Sequence, residues 1–222
     1  MTIREVSSVK DRSELLLLPL KIYKDDPLWI RPLDKDIEAV FDPKKNKFFR
    51  HGKCTRFLLE NGKGETIGRI AVFINERTSK KEVQPTGGIG FFECINNQSA
   101  ANLLFETAKR WLSDRGMEAM DGPINFGERD AWWGLLVNGF TGTPYRMTYN
   151  PSYYQTLFES YGFRNYFEQW CYSMEVNQQL DKTGAETTNI YTDTISDKRR
   201  FTVASLRRLV AEQYNNDSYE LH

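Results

Sequence analysis

The chain has 222 residues, enough for one large domain with a sizeable core. Hydrophobic residues make up 40% and charged residues 27%, a mix that excludes wholesale disorder, and the aromatic share of 14% is rich enough for a thick core or a stacking pocket. Thirty basic residues balance 30 acidic ones, without the basic excess of a nucleic-acid binder, and no run of about 18 apolar residues is present to span a membrane.

Residues 2–6, TIREV, alternate and predict a first strand. DRSELLLLPLKIYKDD carries a helical pattern with Pro19 as a kink or break, and LDKDIEAVFDP predicts a second short helix that ends before Pro43. CTRFLLE and TIGRIAVFIN, separated by NGKGE, predict an antiparallel hairpin, and GGIGFFECI a further strand. The clearest helix is NNQSAANLLFETAKRWLSDRG. Asn97 or Ser99 is its cap, and Leu103, Leu104, Ala108, Trp111 and Leu112 are its apolar stripe. EAMDGPIN follows as a short strand. FGERDAWWGLLVNGFTGTPYRMTYN is too long and aromatic for an ordinary connector, and loops of that length are often functional. PSYYQTLFESYG predicts a helix stopped by Gly162, and YFEQWCYSMEV a strand. Residues 177–200 are polar and read as a linker or a weak strand. Val203, Leu206, Val210 and Tyr214 then restore a helical stripe, either an appended amphipathic helix or the opening of a second domain. The order of elements predicts an α/β domain over residues 1–176: a mixed, mostly antiparallel sheet with helices on both faces.

The three cysteines are odd in number, far apart and set in apolar segments, which suits reduced core residues in a cytoplasmic protein. The N-terminus lacks the ordered regions of a signal peptide. Two histidines, one of them the last residue, supply neither a metal site nor a Ser-His-Asp triad, so no metal is expected. Neither nucleic acid nor a membrane is an expected partner. Monomer and homodimer both stay open.

The blocks DDPLWIRPL, DPKKNKFF, GFFECINN, WLSDRGMEAMDGPINFG, GLLVNGF and NPSYYQTLFESYGF, in this order, resemble the GNAT N-acetyltransferase superfamily, and within it a bacterial branch of GNAT-like proteins. They cover roughly residues 3 to 176. The resemblance implies a central sheet splayed between its fourth and fifth strands, GFFECI and EAMDGPIN. It also implies acetyl-CoA as cosubstrate and acetyl transfer to an amine of a small molecule or protein. By the same resemblance Cys94, Ile95, Asn97, Gln98, Ser99, Ala100 and Ala101 hold the cosubstrate, its pyrophosphate on the backbone donors of a helix N-terminus. Asn150 either caps the last helix or contacts the pantetheine arm.

Two departures from the family stand out. NNQSAA replaces the usual glycine-rich pyrophosphate loop, without glycine or arginine, and Phe158 occupies the place of the tyrosine that protonates the leaving thiolate. Tyr154, one turn earlier, or Tyr153 is the substitute acid. Glu93, a carboxylate in an apolar strand, is the candidate base; its structural reading is a solvent-facing residue or the partner of an arginine. Asn125, Glu128, Asp130, Trp132 and Trp133 combine acids with indoles and, with Tyr153, are the candidate acceptor contacts; their structural reading is a surface loop whose tryptophans cover the core. A catalytically degenerate member that binds a ligand or partner is the alternative from a different class.

Overall fold

β-branched and aromatic residues crowd 52–60 and 66–75, and these runs form the central hairpin of the computed structural model: β2 (Gly52–Glu60) and β3 (Thr66–Asn75). Asn61 turns the corner between them. Its side-chain oxygen accepts from the amides of Lys63 at 2.8 Å and Glu65 at 3.0 Å. β1 (Thr2–Glu5) pairs antiparallel with β2, and β4 (Thr86–Cys94) with β3. β5 (Ala119–Gly122) runs parallel to β4. β6 (Leu135–Asn138), β7 (Arg164–Cys171) and β8 (Phe201–Leu209) complete a sheet of eight strands in the order β1-β2-β3-β4-β5-β8-β6, with β7 also on β8. The structure describes residues 1–79, 84–128 and 130–171, and the backbone of 201–209.

Helices cover both faces, which is why β3 is almost continuously buried rather than alternating. On one face α4 (Gln98–Ser113) and α5 (Tyr153–Tyr161) pack on Ile70, Val72, Ile74, Ile89 and Phe92. Phe105, Phe158 and Phe163 fill that core with ring centroids 4.8 to 5.2 Å apart. The other face carries α1 (Val9–Ile22) and α2 (Asp34–Val40). A 3-10 turn at Lys47–Arg50 and a four-residue α3 (Glu76–Ser79) flank β2 and β3. Ser8 and Asp11 form a capping box at the start of α1, and Gly162, at φ 106°, ends α5 in the left-handed conformation that glycine tolerates.

One irregularity positions the site. Ala71 pairs with Gly90 and Arg69 with Glu93, so two residues of β4 oppose one of β3. This is a β-bulge, with Phe91 at φ 48°. Side chains alternate along a strand, so without the extra residue Glu93 would share the α4 face with Ile89. The bulge moves it to the α1 face, opposite Arg69. Past the bulge, β4 and β5 part. Their ladder joins Thr86–Gly88 to Ala119–Asp121, and one further bond, Ile124 N–H to Ile89 O at 2.8 Å, closes it. A Cβ on Gly90 would lie 1.8 Å from Ile124 O, so the two chains touch there immediately before they diverge.

The structure corrects two sequence expectations. Residues 201–209, expected in a helix, form strand β8, paired with β5, β6 and β7. Those three pairings are long-range and override the helical spacing of Val203 and Leu206. The long connector after β5 also contains β6, four residues that the glycines around it hid. The linker or weak strand expected at 177–200 and the rest of the final stripe, 210–214, lie outside the described residues.

Candidate active site

The bulge delivers Glu93 to the floor of a cleft walled by α1, the α1–α2 connection, β4 and the 143–150 segment. The connection and the first turn of α2 are joined to that segment by three bonds. Tyr149 Oη donates to Asp26 at 2.7 Å, Tyr145 Oη donates to Asp36 at 2.8 Å, and Leu33 N–H donates to Tyr145 Oη at 3.1 Å. Trp29 stacks on Tyr23 at 4.7 Å.

Glu93 has three partners. Tyr154 Oη donates to its Oε2 at 2.7 Å and Tyr23 Oη to the same oxygen at 3.0 Å, while Arg69 Nη2 stands 3.4 Å from Oε1. The side chain is 12% exposed. Burial pushes its pKa above the ordinary carboxylate value; Arg69 and the two hydroxyls pull the other way without overcoming it. Burial and the neighbouring Glu93 charge hold Tyr23 and Tyr154 well above the usual phenol range.

Arg69 is itself placed by a proline. Pro19 sits inside α1 and has no N–H to give the carbonyl four residues back, that of Leu15. Arg69 Nη1 donates to that carbonyl at 2.5 Å. α1 runs through Pro19 without the break its proline allowed, and the Leu15 carbonyl is the acceptor that fixes the cation beside Glu93. Arg69, Tyr23 and Pro19 escaped the sequence reading of the site. Arg69 alone carried a signal there, as a lone charge in the apolar run TIGRIAVFIN.

Tyr154, 2% exposed, accepts from Cys94 N–H at 2.9 Å and donates to Glu93, so the two candidate catalytic groups are in contact. Tyr153 Oη donates to Cys94 O at 2.8 Å. The two hydroxyls therefore satisfy the backbone of Cys94 where β5 has left β4. Phe158 is fully buried, in ring contact with Phe92 at 5.0 Å.

At the start of α4, Asn97 caps Ala100 N–H at 2.9 Å, and Ala101 N–H returns to Asn97 O at 3.0 Å. Asn97 rather than Ser99 is the cap. Gln98 ties its side chain to Leu157 O at 3.0 Å, Ile95 is 39% exposed, and Ala100 and Ala101 pack into the core. The first-turn amides of Gln98 and Ser99 are left for a ligand, a fit to a phosphate group that is smaller than a glycine loop provides. Asn150 caps nothing. Its oxygen accepts from Leu136 N–H at 2.7 Å and its amide donates to Leu136 O and Pro151 O, both at 3.0 Å, so it serves as a one-residue strand partner for β6. α5 instead starts at Ser152 with no side-chain cap.

The five acceptor candidates of the loop after β5 separate. Trp132 borders the cleft, its ring 5.5 Å from Phe91. Asn125, Glu128 and Asp130 line a second cavity behind it, and Glu128 pairs with Lys47 at 3.3 Å. Trp133 borders neither cavity; its carbonyl accepts from Thr148 at 3.0 Å. Among the described residues no helix is long and apolar enough to cross a membrane, and no group of three or more His, Cys, Asp or Glu side chains could hold a metal.

No family model matches the chain. Among solved structures it is similar to a GNAT-superfamily phosphinothricin acetyltransferase of Sinorhizobium meliloti in complex with acetyl-CoA. The TM-score is 0.52 at 9% identity, over 99% of this chain and 93% of the other. The chain has the GNAT fold. Among curated proteins it is 32% identical over 184 residues to a bacterial ceramide synthase of Caulobacter vibrioides, covering 81% of this chain and 46% of that one. It is 26% identical to protein YghO of Escherichia coli, over 72% and 41%. The chain therefore spans a little under half the length of the curated relatives it matches.

Proposed function

We propose that this GNAT-fold chain is the acyl-transfer unit of an N-acyltransferase that moves an acyl group, acetyl or longer, from a CoA thioester to an amine. The observation that carries the reading is Glu93: a nearly buried carboxylate with a raised pKa, turned by a bulge into an aromatic cleft beside the point where β4 and β5 part. The amine nitrogen attacks the thioester carbon, the C–N bond forms and the C–S bond breaks. Glu93 takes the amine proton, and the burial that raises its pKa strengthens it as a base. Tyr154, 2.7 Å from Glu93, gives its proton to the leaving thiolate and recovers one from Glu93. Cys94 N–H, aimed at Tyr154 Oη, steadies the oxygen while its proton is away. The relative called a ceramide synthase agrees in reaction type, since a ceramide is an amide of a long-chain amino alcohol.

The test is thermal unfolding with millimolar CoA, acetyl-CoA and a long-chain acyl-CoA, followed by thiol release on adding amines. A ligand that binds only the folded state raises the midpoint. Glu93→Gln is expected to keep the shift and lose the thiol release. A second reading, a GNAT fold that binds without catalysing, is favoured by the Cys94 backbone being already occupied by two tyrosine hydroxyls. It takes over if no acyl-CoA moves the midpoint and no amine releases thiol.

A further inference from the structure

The second cavity lies between α2, the 3-10 turn and residues 125–128 and 130–131, and its lining shares two residues with the cleft, Trp132 and Arg146. These two form one unit. Trp132 N–H donates to Arg146 O at 2.8 Å, and the Arg146 guanidinium lies 5.6 Å from the Trp132 ring centroid. Phe91 supports the ring from the β4 side, and Asp36 holds Arg146 at 3.4 Å. The backbone is strained at the same place. Among the described residues Phe91, Trp132 and Arg146, at φ 48°, 46° and 68°, are the non-glycine residues in the left-handed region, and all three border the cleft. Such conformations persist where surrounding contacts enforce them, and they gather at functional walls and clamps. The two sides of the wall differ. Trp29, Ile30 and Ile37 line the cleft, whereas Asp36, Lys45, Lys47 and Asp130 add charged groups to the space behind it, beside Val40, Phe48 and Phe126.

We propose that Trp132 and Arg146 are the end wall of the acceptor channel: they set how far an amine's chain can extend from Glu93, and the cavity behind them is a mixed subsite, apolar in Val40, Phe48 and Phe126 and charged in Asp36, Lys45, Lys47 and Asp130, that a longer amine with a hydroxyl end would enter once the wall is opened. The proposal rests on the N-acyltransferase reading. Steric walls of this kind discriminate by about 10-fold or more for each methylene they exclude.

The experiment uses linear primary amines of increasing length, plain or ending in a hydroxyl, with the wild type, Trp132→Gly and Arg146→Gly. Glycine adopts the left-handed backbone without strain, so neither variant adds backbone strain at its site. Thermal shift with amine alone and thiol release with acyl-CoA are both read. The wild type is expected to show a length beyond which neither signal grows. In Trp132→Gly that length increases, and the ratio of kcat/KM for long over short amines rises by about 10-fold or more, most for hydroxyl-ended chains. Arg146→Gly moves it in the same direction. An active wild type whose length limit is unchanged in both variants overturns the wall and leaves the acyltransferase reading standing. A wild type that neither binds nor acylates any amine overturns both.

Discussion

Glu93 concentrates the chemistry in one side chain, and its titration has a defined sign. Its folded pKa is raised above the ordinary 4.5, so folding favours the protonated form. The stability it contributes is therefore fully present below about 4.5 and is lost as pH rises through the folded pKa. Denaturant unfolding of the wild type and Glu93→Gln across that range should show the wild type losing ground to the variant as pH increases; parallel curves would mean that Glu93 titrates as it does in the unfolded chain. The tyrosines separate stability from tuning. Both hydroxyls favour the carboxylate, so Tyr154→Phe and Tyr23→Phe should each move the acid limb of kcat/KM to higher pH. Tyr154→Phe also leaves the buried Cys94 N–H without its acceptor and should cost about 1–3 kcal/mol, whereas Tyr23→Phe strips no backbone N–H and should cost less. Equal losses of stability in the two variants would refute that distinction. Glu93 and Tyr154 were legible in the sequence as residue types, an acid in an apolar strand and a phenol one turn from an expected one. Their contact was not, because nothing in GGIGFFECI marks the bulge at Phe91 that turns Glu93 around.

At the level of elements, α1 and β3 are coupled by a missing hydrogen bond. A non-proline residue at position 19 would offer its own N–H to Leu15 O and compete with Arg69 for it. Pro19→Ala should therefore raise the melting temperature, since proline costs an internal helix position about 3 kcal/mol, while kcat/KM falls as Arg69 loses its anchor. A fall in both would show that Pro19, itself buried, acts through its packing instead. The elements that local pattern could identify were the ones with local causes. The NGKGE hairpin, the Asn97-capped α4 and the Gly162-ended α5 each carry their own turn or cap chemistry. β6 and β8 have no such local cause: Leu135–Asn138 sits in a glycine-rich stretch, and Phe201–Leu209 is a strand because of what lies beside it.

On the scale of the whole molecule, β8 is the element that closes the sheet. It joins β5 through Leu206–Leu209, β6 through Thr202–Ala204 and β7 along Phe201–Arg207. Among the described residues β7 has no other strand partner, and β6 reaches the sheet only through β8. The composition shift after Val176 thus marks a change in sequence character, while the backbone ladder runs across it. A chain ending at residue 176 would keep β1 to β5 but expose the unpaired edges of β5, β6 and β7, and open edges of that kind recruit other chains. The expected result is loss of a single cooperative unfolding transition in circular dichroism, together with concentration-dependent association in sedimentation, both restored when 177–222 is present. The active site should suffer with it, because β6 positions Asn150 through Leu136, and Asn150 leads directly into the helix that carries Tyr154. A truncated chain that melts cooperatively at the full-length temperature would show that residues 1–176 hold the sheet without β8, and that the pairing of β8 contributes little to the stability of the site.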